Sequence, residues 1–390
     1  MPSVAPRVAP AIALPPDAVV DPRIGSSGPC LLALEDGTVF RGVAFGATGT
    51  GGGDLVVNTS QTGYQEVCTD PSYAGQVVVM TFPLIGNHGR FADDDQSDRP
   101  WLHGLVVGHA TAGVLGKARQ IVHLLRSAGV PAMAGLDTRA LARHLRQSGS
   151  LRGVITAPGE TDPEAAVAAA RAVPVWEEQD FVSRVSAAEP YDVGDRGPVV
   201  ALIDLGLKTS IVRSLRRRGA RVRVYPHTVG VERVLEADVD GVVISPGPGD
   251  PGLLDTQVAL ARAVIDDGRP LLGICLGHQI VARAAGAQTR RLPFGHHAAN
   301  HPVRDEISGV VTVTAQNHEV AVVADSLPPE SGFYVSQRNL NDGTVEGLRH
   351  HAKPIETVQY HPEGSPGPLD AAEVFDRFLG HVRAHAPARR

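Results

Sequence analysis

At 390 residues the chain is long for one domain and comfortable for two, since domains run at roughly 100–200 residues. Its 36 basic and 42 acidic residues leave a net charge of -6, which excludes the basic footprint of a nucleic-acid binder. Its three cysteines, Cys30, Cys68 and Cys275, have no paired spacing and argue against both a disulfide framework and a zinc site. A reducing compartment and a cytoplasmic location are the expectation. No apolar run reaches the roughly 20 residues that span a bilayer, so no membrane partner is expected.

In chain order, residues 1–29 are rich in Pro, Ala and Val and read as a flexible extension. They are not a secretory signal: Ala11–Leu14 is too short for an apolar signal core and prolines interrupt it on both sides. Cys30–Leu34, Glu35-Asp36-Gly37 and Thr38–Phe40 read as strand, turn, strand. Gly49 to Gly53 reads as a loop, and without a helical pattern behind it is a poor phosphate cradle. Leu55–Asn58 and Gln76–Phe82 read as strands, and Asp93-Asp94-Asp95 as part of a solvated loop. Ala118–Ala128 has helical periodicity, as has Thr138–Gln147, with Asp137 as N-cap and Gly149 past its end. From Ala157 to about Gly197 the composition shifts. An Ala-rich helix near Pro163–Ala172 is followed by a mixed segment suited to joining two domains.

The second half alternates strand and helix: Pro198–Asp204, Thr209–Arg218, Arg221–Tyr225, Val231–Glu236, Gly241–Ser245, Leu254–Asp266, Pro270–Cys275 and His278–Ala285. Strands apolar on both faces, alternating with helices, predict a parallel α/β sheet. Such sheets place their chemistry at the carboxyl ends of strands.

The strongest local signal is Gly273-Ile274-Cys275-Leu276-Gly277-His278-Gln279, where an apolar strand runs directly into a helix. This is a nucleophile elbow with Cys in place of Ser. Its glycines permit a sharp turn, the positive end of the helix favours a thiolate, and the elbow N–H groups suit an oxyanion hole. A cysteine nucleophile wants an imidazole base, and the base an orienting carboxylate. His361 and Glu363, in Val358-Gln359-Tyr360-His361-Pro362-Glu363, follow another apolar strand and fit both roles.

The Cys275 elbow together with His361-Pro362-Glu363 resembles the class I, triad-type glutamine amidotransferases. Ser245-Pro246-Gly247-Pro248-Gly249-Asp250-Pro251 is similar to the glycine loop that shapes their glutamine pocket. Four further segments resemble the small subunit of carbamoyl-phosphate synthetase. They are Asn58–Glu66 continuing to Thr69–Tyr73; Gly135–Arg139 followed by Leu151–Ile155; Phe294–Val303; and Ser365–Pro368. The resemblance spans about residues 30–385.

Composition gives a flexible extension (1–29), a connecting segment (156–197) and a short tail (386–390), and the resemblance implies between them a smaller β-rich α/β domain of swivelling type (30–155) and a flavodoxin-like amidotransferase domain (198–385). The resemblance also implies hydrolysis of L-glutamine, with Cys275 as nucleophile, His361 as base and then acid, and Glu363 as orienter. Ammonia would pass to a large synthetase subunit making carbamoyl phosphate for arginine and pyrimidine biosynthesis. The chain shows no ATP-binding glycine loop, so ATP and magnesium are expected on the partner and no cofactor here. By the same resemblance Ser60, Gly247, Gly249, Leu276, Gln279, Asn317, Glu319 and Val320 contact glutamine. The alternatives are a paralogue serving another acceptor and a non-catalytic regulatory subunit.

Two departures stand out. The family carries Gly and an aromatic residue where this chain has Glu319 and Val320, and the Glu319 side chain is expected to point outward with the backbone contacts kept. The stretch from Val107 to Val122 is shorter than usual. The histidines His296, His297 and His301 lie in a segment that the family uses structurally and at an interface. With no acidic or Cys ligand close in sequence, no metal is expected there.

Overall fold

A strand apolar at every position needs cover on both faces, and both halves of the chain solve that requirement with a sheet between helices. The computed structural model describes residues 6–9, 15–113 and 120–385. The chain divides into two units, Met1–Gln179 and Asp180–Arg390.

In the first unit Gly28–Leu34 and Thr38–Ala44 form a hairpin, and its sheet continues through Arg152–Ile155, Gly51–Asn58, Gln76–Met80, Gly104–Val107 and Ala132–Ala134. Ala134 and Met133 then pair back to Val43 and Ala44, so the sheet closes on itself. Alternation along Gly28–Leu34 divides the packing. Leu32 and Leu34 pack with Leu141 and Leu145 of the helix Thr138–Ser148, whereas Leu31 and Ala33 pack with Ala166, Val167 and Ala170 of the helix Pro163–Ala172. Asp137 caps the former helix, its carboxylate accepting from the Ala140 N–H at 2.9 Å.

Three expectations change here. Gly51, Gly52 and Gly53 are not loop but the start of the strand Gly51–Asn58. A Cβ on Gly51 would lie 2.1 Å from the His103 carbonyl, and one on Gly53 would lie 2.2 Å from that of Gly75. Glycine is there so that neighbouring backbone can approach. Residues 15–29 do not behave as an extension: Pro16–Val19 is a helical turn, and Val19, Val20 and Ile24 are buried with Phe45, Ala110 and Ala134. The segment 156–197 is not a free connection either. Its helix Pro163–Ala172 packs on the first sheet, and Tyr191–Val193 pairs with Arg221–Pro226 in the second unit. Within the polar Asp93–Asp95 segment, Asp95 pairs with Arg90 and accepts from Gln65 at 2.7 Å. The described helix Ile121–Ser127 falls within the predicted Ala118–Ala128. Positions 114–119 of the shortened Val107–Val122 stretch, and the tail 386–390, lie outside the described residues.

In the second unit five parallel strands run in the order Arg221–Pro226, Val199–Asp204, Gly241–Ile244, Leu271–Ile274, Ile355–Val358. This is the 2-1-3-4-5 order of a flavodoxin-like sheet. Odd and even positions again separate two cores. Val200, Leu202, Val243 and Leu272 pack under the helices Thr209–Arg217 and Glu373–His385; Ala201, Ile203, Val242 and Leu271 pack under Asp255–Asp267 and Leu276–Ala284. The sheet continues antiparallel through Val345–His350, Phe333–Asn339, Thr289–Asp305 and Val311–Val322. Among the described residues no helix is long and apolar enough to cross a membrane.

The glycine reading of the first strand predicts that Gly53→Ala, which forces a Cβ against the Gly75 carbonyl, lowers stability by about 1–3 kcal/mol. Gly49→Ala, with nothing within 4 Å of the added carbon, should leave the melting temperature unchanged. Thermal unfolding of both variants checks this.

Candidate active site

The elbow is a consequence of register. Leu271–Ile274 lies between Gly241–Ile244 and Ile355–Val358, and Ile274 pairs with Val358. The next residue, Cys275, donates its N–H to the Val358 carbonyl at 2.8 Å. It is buried and takes φ 53° and ψ -106°, a left-handed conformation that a side chain rarely adopts. Gly273 and Gly277 make the turn possible, because a Cβ on either would lie 2.7 Å from the Gly277 carbonyl or 2.2 Å from the Ile244 carbonyl. The first bond inside the following helix runs from the Gln279 N–H to the Cys275 carbonyl at 3.2 Å. The amides of Leu276, Gly277 and His278 therefore stand at the helix N-terminus beside the thiol, where no intrahelical acceptor exists for them.

His361 follows the neighbouring strand, so it reaches the same end of the sheet. Its N–H donates to the Ala315 carbonyl at 2.9 Å, and its Nδ1 lies 2.8 Å from Glu363 Oε1. Among the described residues its buried Nε2 has no hydrogen-bond partner at bonding distance, and the Cys275 thiol is the group it interacts with. Burial works against the imidazolium, but the Glu363 carboxylate outweighs it and raises His361 to about 10. Burial likewise opposes ionisation of Glu363, yet Lys208 and His361 together lower it to about 2.

Lys208 was not legible as a functional residue. Its Nζ lies 2.9 Å from Glu363 Oε1 and donates to the Gly364 carbonyl at 2.8 Å, in full burial. The available signal was positional: Lys208 lies just past the carboxyl end of Val199–Asp204. Gln359 was also missed. It sits two residues before His361, donates to Cys275 Sγ at 3.7 Å, and accepts from Gln279 Nε2 at 3.1 Å. Alternation from His361 places both side chains on one side of the chain.

Of the predicted pocket residues of this unit, Gly247, Leu276, Gln279, Asn317 and Val320 make contacts at the elbow. Gly247 packs so tightly that a Cβ would lie 2.1 Å from the Leu205 carbonyl and 3.1 Å from Leu276 Cδ2. Gly249 takes φ 96°. Gln279 Nε2 donates to the Val320 carbonyl at 2.8 Å, and Cys275 Sγ lies 3.6 Å from the Asn317 carbonyl. Ser60 belongs to the first unit, on the turn after Gly51–Asn58, where its N–H donates to Asn58 Oδ1 at 2.8 Å.

Glu319 does not point outward as expected. Its side chain is 2% exposed, with Oε1 2.7 Å from His297 Nε2 and Oε2 3.7 Å from an Arg291 nitrogen. The partners come from the antiparallel strand Thr289–Asp305, which local sequence around Glu319 does not reveal. Acidic groups also reach the other histidines. His296 Nε2 lies 2.9 Å from Asp342, and the donor atoms of His296, His318 and Glu346 lie within 4.8 Å of one another. These side chains already have protein partners. His318 engages Gln316 and the Val320 carbonyl, each at 2.9 Å, and Glu346 accepts from Asn339 at 2.7 Å and from Gln316 at 2.9 Å. We read the cluster as a buried hydrogen-bond network. Burial raises Glu346 to about 7 and lowers His301 to about 4.

A strained cysteine at the end of a 2-1-3-4-5 sheet, facing a His–Glu pair from the adjacent strand, is the arrangement of the class I glutamine amidotransferases, and residues 201–381 match that family. The first unit narrows the assignment, because residues 32–155 match the carbamoyl-phosphate synthase small chain, CPSase domain. The chain is 46% identical to a carbamoyl phosphate synthase small chain from Symbiobacterium thermophilum over 92% of its own length and 99% of the relative's. Identity is 44% to the small chain of Methanopyrus kandleri, over 91% and 99% of the two chains. It is also 44% to a pyrimidine-specific small chain of Halalkalibacterium halodurans, over 89% and 95%. The chain belongs to the carbamoyl-phosphate synthase small chain family.

The buried Lys208–Glu363 pair generates a prediction. Lys208→Met leaves the buried carboxylate with His361 as its one remaining charged partner among the described residues and should cost up to about 3–5 kcal/mol at neutral pH, read by urea unfolding. Glu363 is lowered from 4.5 to about 2, so the stability it confers is present above 4.5 and lost as the pH falls toward 2. The gap between native and variant protein should therefore narrow in acid.

Proposed function

We propose that this chain is the glutamine-hydrolysing subunit of a carbamoyl-phosphate synthetase, with Cys275, His361 and Glu363 as its catalytic groups. The observation that carries the reading is the strained Cys275 at a helix N-terminus beside the His361–Glu363 pair, within a chain of this family.

The chemistry follows from the geometry. The Cys275 sulfur attacks the side-chain amide carbon of glutamine, and the oxygen takes up negative charge. Amides at the start of Leu276–Ala284, which have no intrahelical acceptor, stabilise that oxyanion. His361 carries the proton and delivers it to the nitrogen, so the C–N bond breaks and ammonia leaves behind a glutamyl thioester. Water then attacks the thioester, its proton passes to His361, and glutamate departs as Cys275 is restored. Glu363 fixes the imidazole through Nδ1, and Lys208 keeps Glu363 ionised. Gly247, Gly249, Leu276, Gln279, Asn317 and the backbone of Glu319 and Val320 form the glutamine pocket in this reading.

The ammonia passes to a large synthetase subunit, which combines it with bicarbonate using ATP and magnesium. This chain itself takes no cofactor. Three buried free thiols suit a reducing cytoplasm; burial pushes the Cys30 thiol up to about 12, which leaves it unreactive.

Two outcomes are expected. Cys275→Ala should abolish carbamoyl phosphate synthesis from glutamine in the complex, while added ammonia still supports it. Substantial glutamine-dependent synthesis by that variant would remove Cys275 as nucleophile. The isolated chain should hydrolyse glutamine slowly and the synthetase subunit should accelerate it, with the two co-eluting on gel filtration. Equal rates with and without the partner would count against a coupled subunit.

A further inference from the structure

Strand alternation sorts the histidines of the long hairpin into two groups. His297 stands opposite Asn317 in register, and His296 stands opposite His318. Directly opposed residues share a face, and neighbours along a strand alternate faces. Hence His297, Asn317 and Glu319 lie together on one face, while His296, Gln316 and His318 lie on the other. The second group is the network with Glu346 described above. The first group ends at the nucleophile.

Its links are short and buried. Glu319 Oε1 lies 2.7 Å from His297 Nε2, His297 Nδ1 lies 2.9 Å from Asn317 Oδ1, and the Asn317 carbonyl lies 3.6 Å from Cys275 Sγ. An ionised carboxylate only accepts, and so does the Asn317 amide oxygen, so both ring nitrogens donate: Nε2 to Glu319 and Nδ1 to Asn317 Oδ1. That assignment orients the ring and holds the Asn317 side chain. Gly295 makes the space: a Cβ there would lie 2.5 Å from His297 Nε2 and 2.6 Å from Glu319 Oε1.

We propose that Glu319 is a positioning residue for glutamine, acting through His297 to fix Asn317 and with it the carbonyl that faces Cys275. The proposal rests on the reading of Cys275, Asn317 and their neighbours as a glutaminase site. The Glu319 carboxylate, engaged with His297 and Arg291, acts through them rather than on the substrate or the sulfur. Its charge is offset by His297 and Arg291, so it does not repel the α-carboxylate of glutamine.

The test is steady-state glutamine hydrolysis by the complex with its synthetase subunit. Glu319→Ala should raise the KM for glutamine about tenfold while kcat changes less than about threefold, because Asn317 loses its orientation and the triad does not. Glu319→Gln, whose amide oxygen accepts the same hydrogen bond, should keep KM within about threefold of native. Ammonia-dependent synthesis should be the same in all. Native KM in Glu319→Ala would overturn the proposal. So would a fall in kcat with KM unchanged, or a Glu319→Gln variant as impaired as Glu319→Ala. If Glu319→Ala does not fold, Gly295→Ala, which wedges the pair apart without removing it, should give the same rise in KM, and a native KM there would overturn the proposal equally. Cys275→Ala run in parallel separates the two levels. If it hydrolyses glutamine, the site reading fails; if it is inactive and the Glu319 variants are native, only the positioning role fails.

Discussion

A side chain held at φ 53° costs about 1–3 kcal/mol relative to ordinary backbone, so Cys275 stays there only because its surroundings over-determine it. Two neighbouring strands supply the constraint. The Val358 carbonyl takes the Cys275 N–H from one side, and on the other side the Ile244 carbonyl comes so close to Gly277 that no side chain fits between them. The elbow is therefore a product of the five-strand parallel sheet rather than of seven residues. Because His361 continues the strand that accepts from Cys275, the register that strains the nucleophile also delivers its base.

The antiparallel extension of the sheet supplies the other wall. Along Val311–Val322 the Ala315 carbonyl accepts from the His361 N–H, the Asn317 carbonyl faces Cys275, and the Val320 carbonyl accepts from Gln279. Base, nucleophile and the helix behind the nucleophile are thus all referenced to one strand. Backbone does this work, so these contacts do not depend on the side chains of Glu319 and Val320. The shift of register between Arg291 and His296 falls beside the same residues, and Arg291, opposite Val320, lies 3.7 Å from the Glu319 carboxylate.

Features that depend on near neighbours in sequence were legible without a structure: the elbow, the His361–Glu363 pair, the Asp137 cap and the parallel strands of the second half. Features created by distant segments were not. Lys208 and Gln359 become part of the site only when three strands end at the same level. Gly51 to Gly53 were read as loop because glycine weakens strands in general, whereas here neighbouring carbonyls leave room for nothing else. Glu319 was read as outward because its partners stand on another strand. The acidic side chains near His296 and His297 escaped the same way, close in space and remote in sequence.

Two buried carboxylates now show a common solution to a common cost. Removing an ion from water costs several kcal/mol even after relaxation, and a lone buried glutamate would protonate instead. Glu363 meets this with His361 at 2.8 Å and Lys208 at 2.9 Å, and Glu319 with His297 at 2.7 Å and Arg291 at 3.7 Å. Each is a carboxylate, an imidazole and a cation. The difference lies in the second nitrogen of each ring. Among the described residues His361 Nε2 has no hydrogen-bond partner at bonding distance and is available to move a proton to and from Cys275, whereas His297 Nδ1 is committed to Asn317. The same three chemical groups thus yield a base where one ring atom is left uncommitted and a brace where both are used.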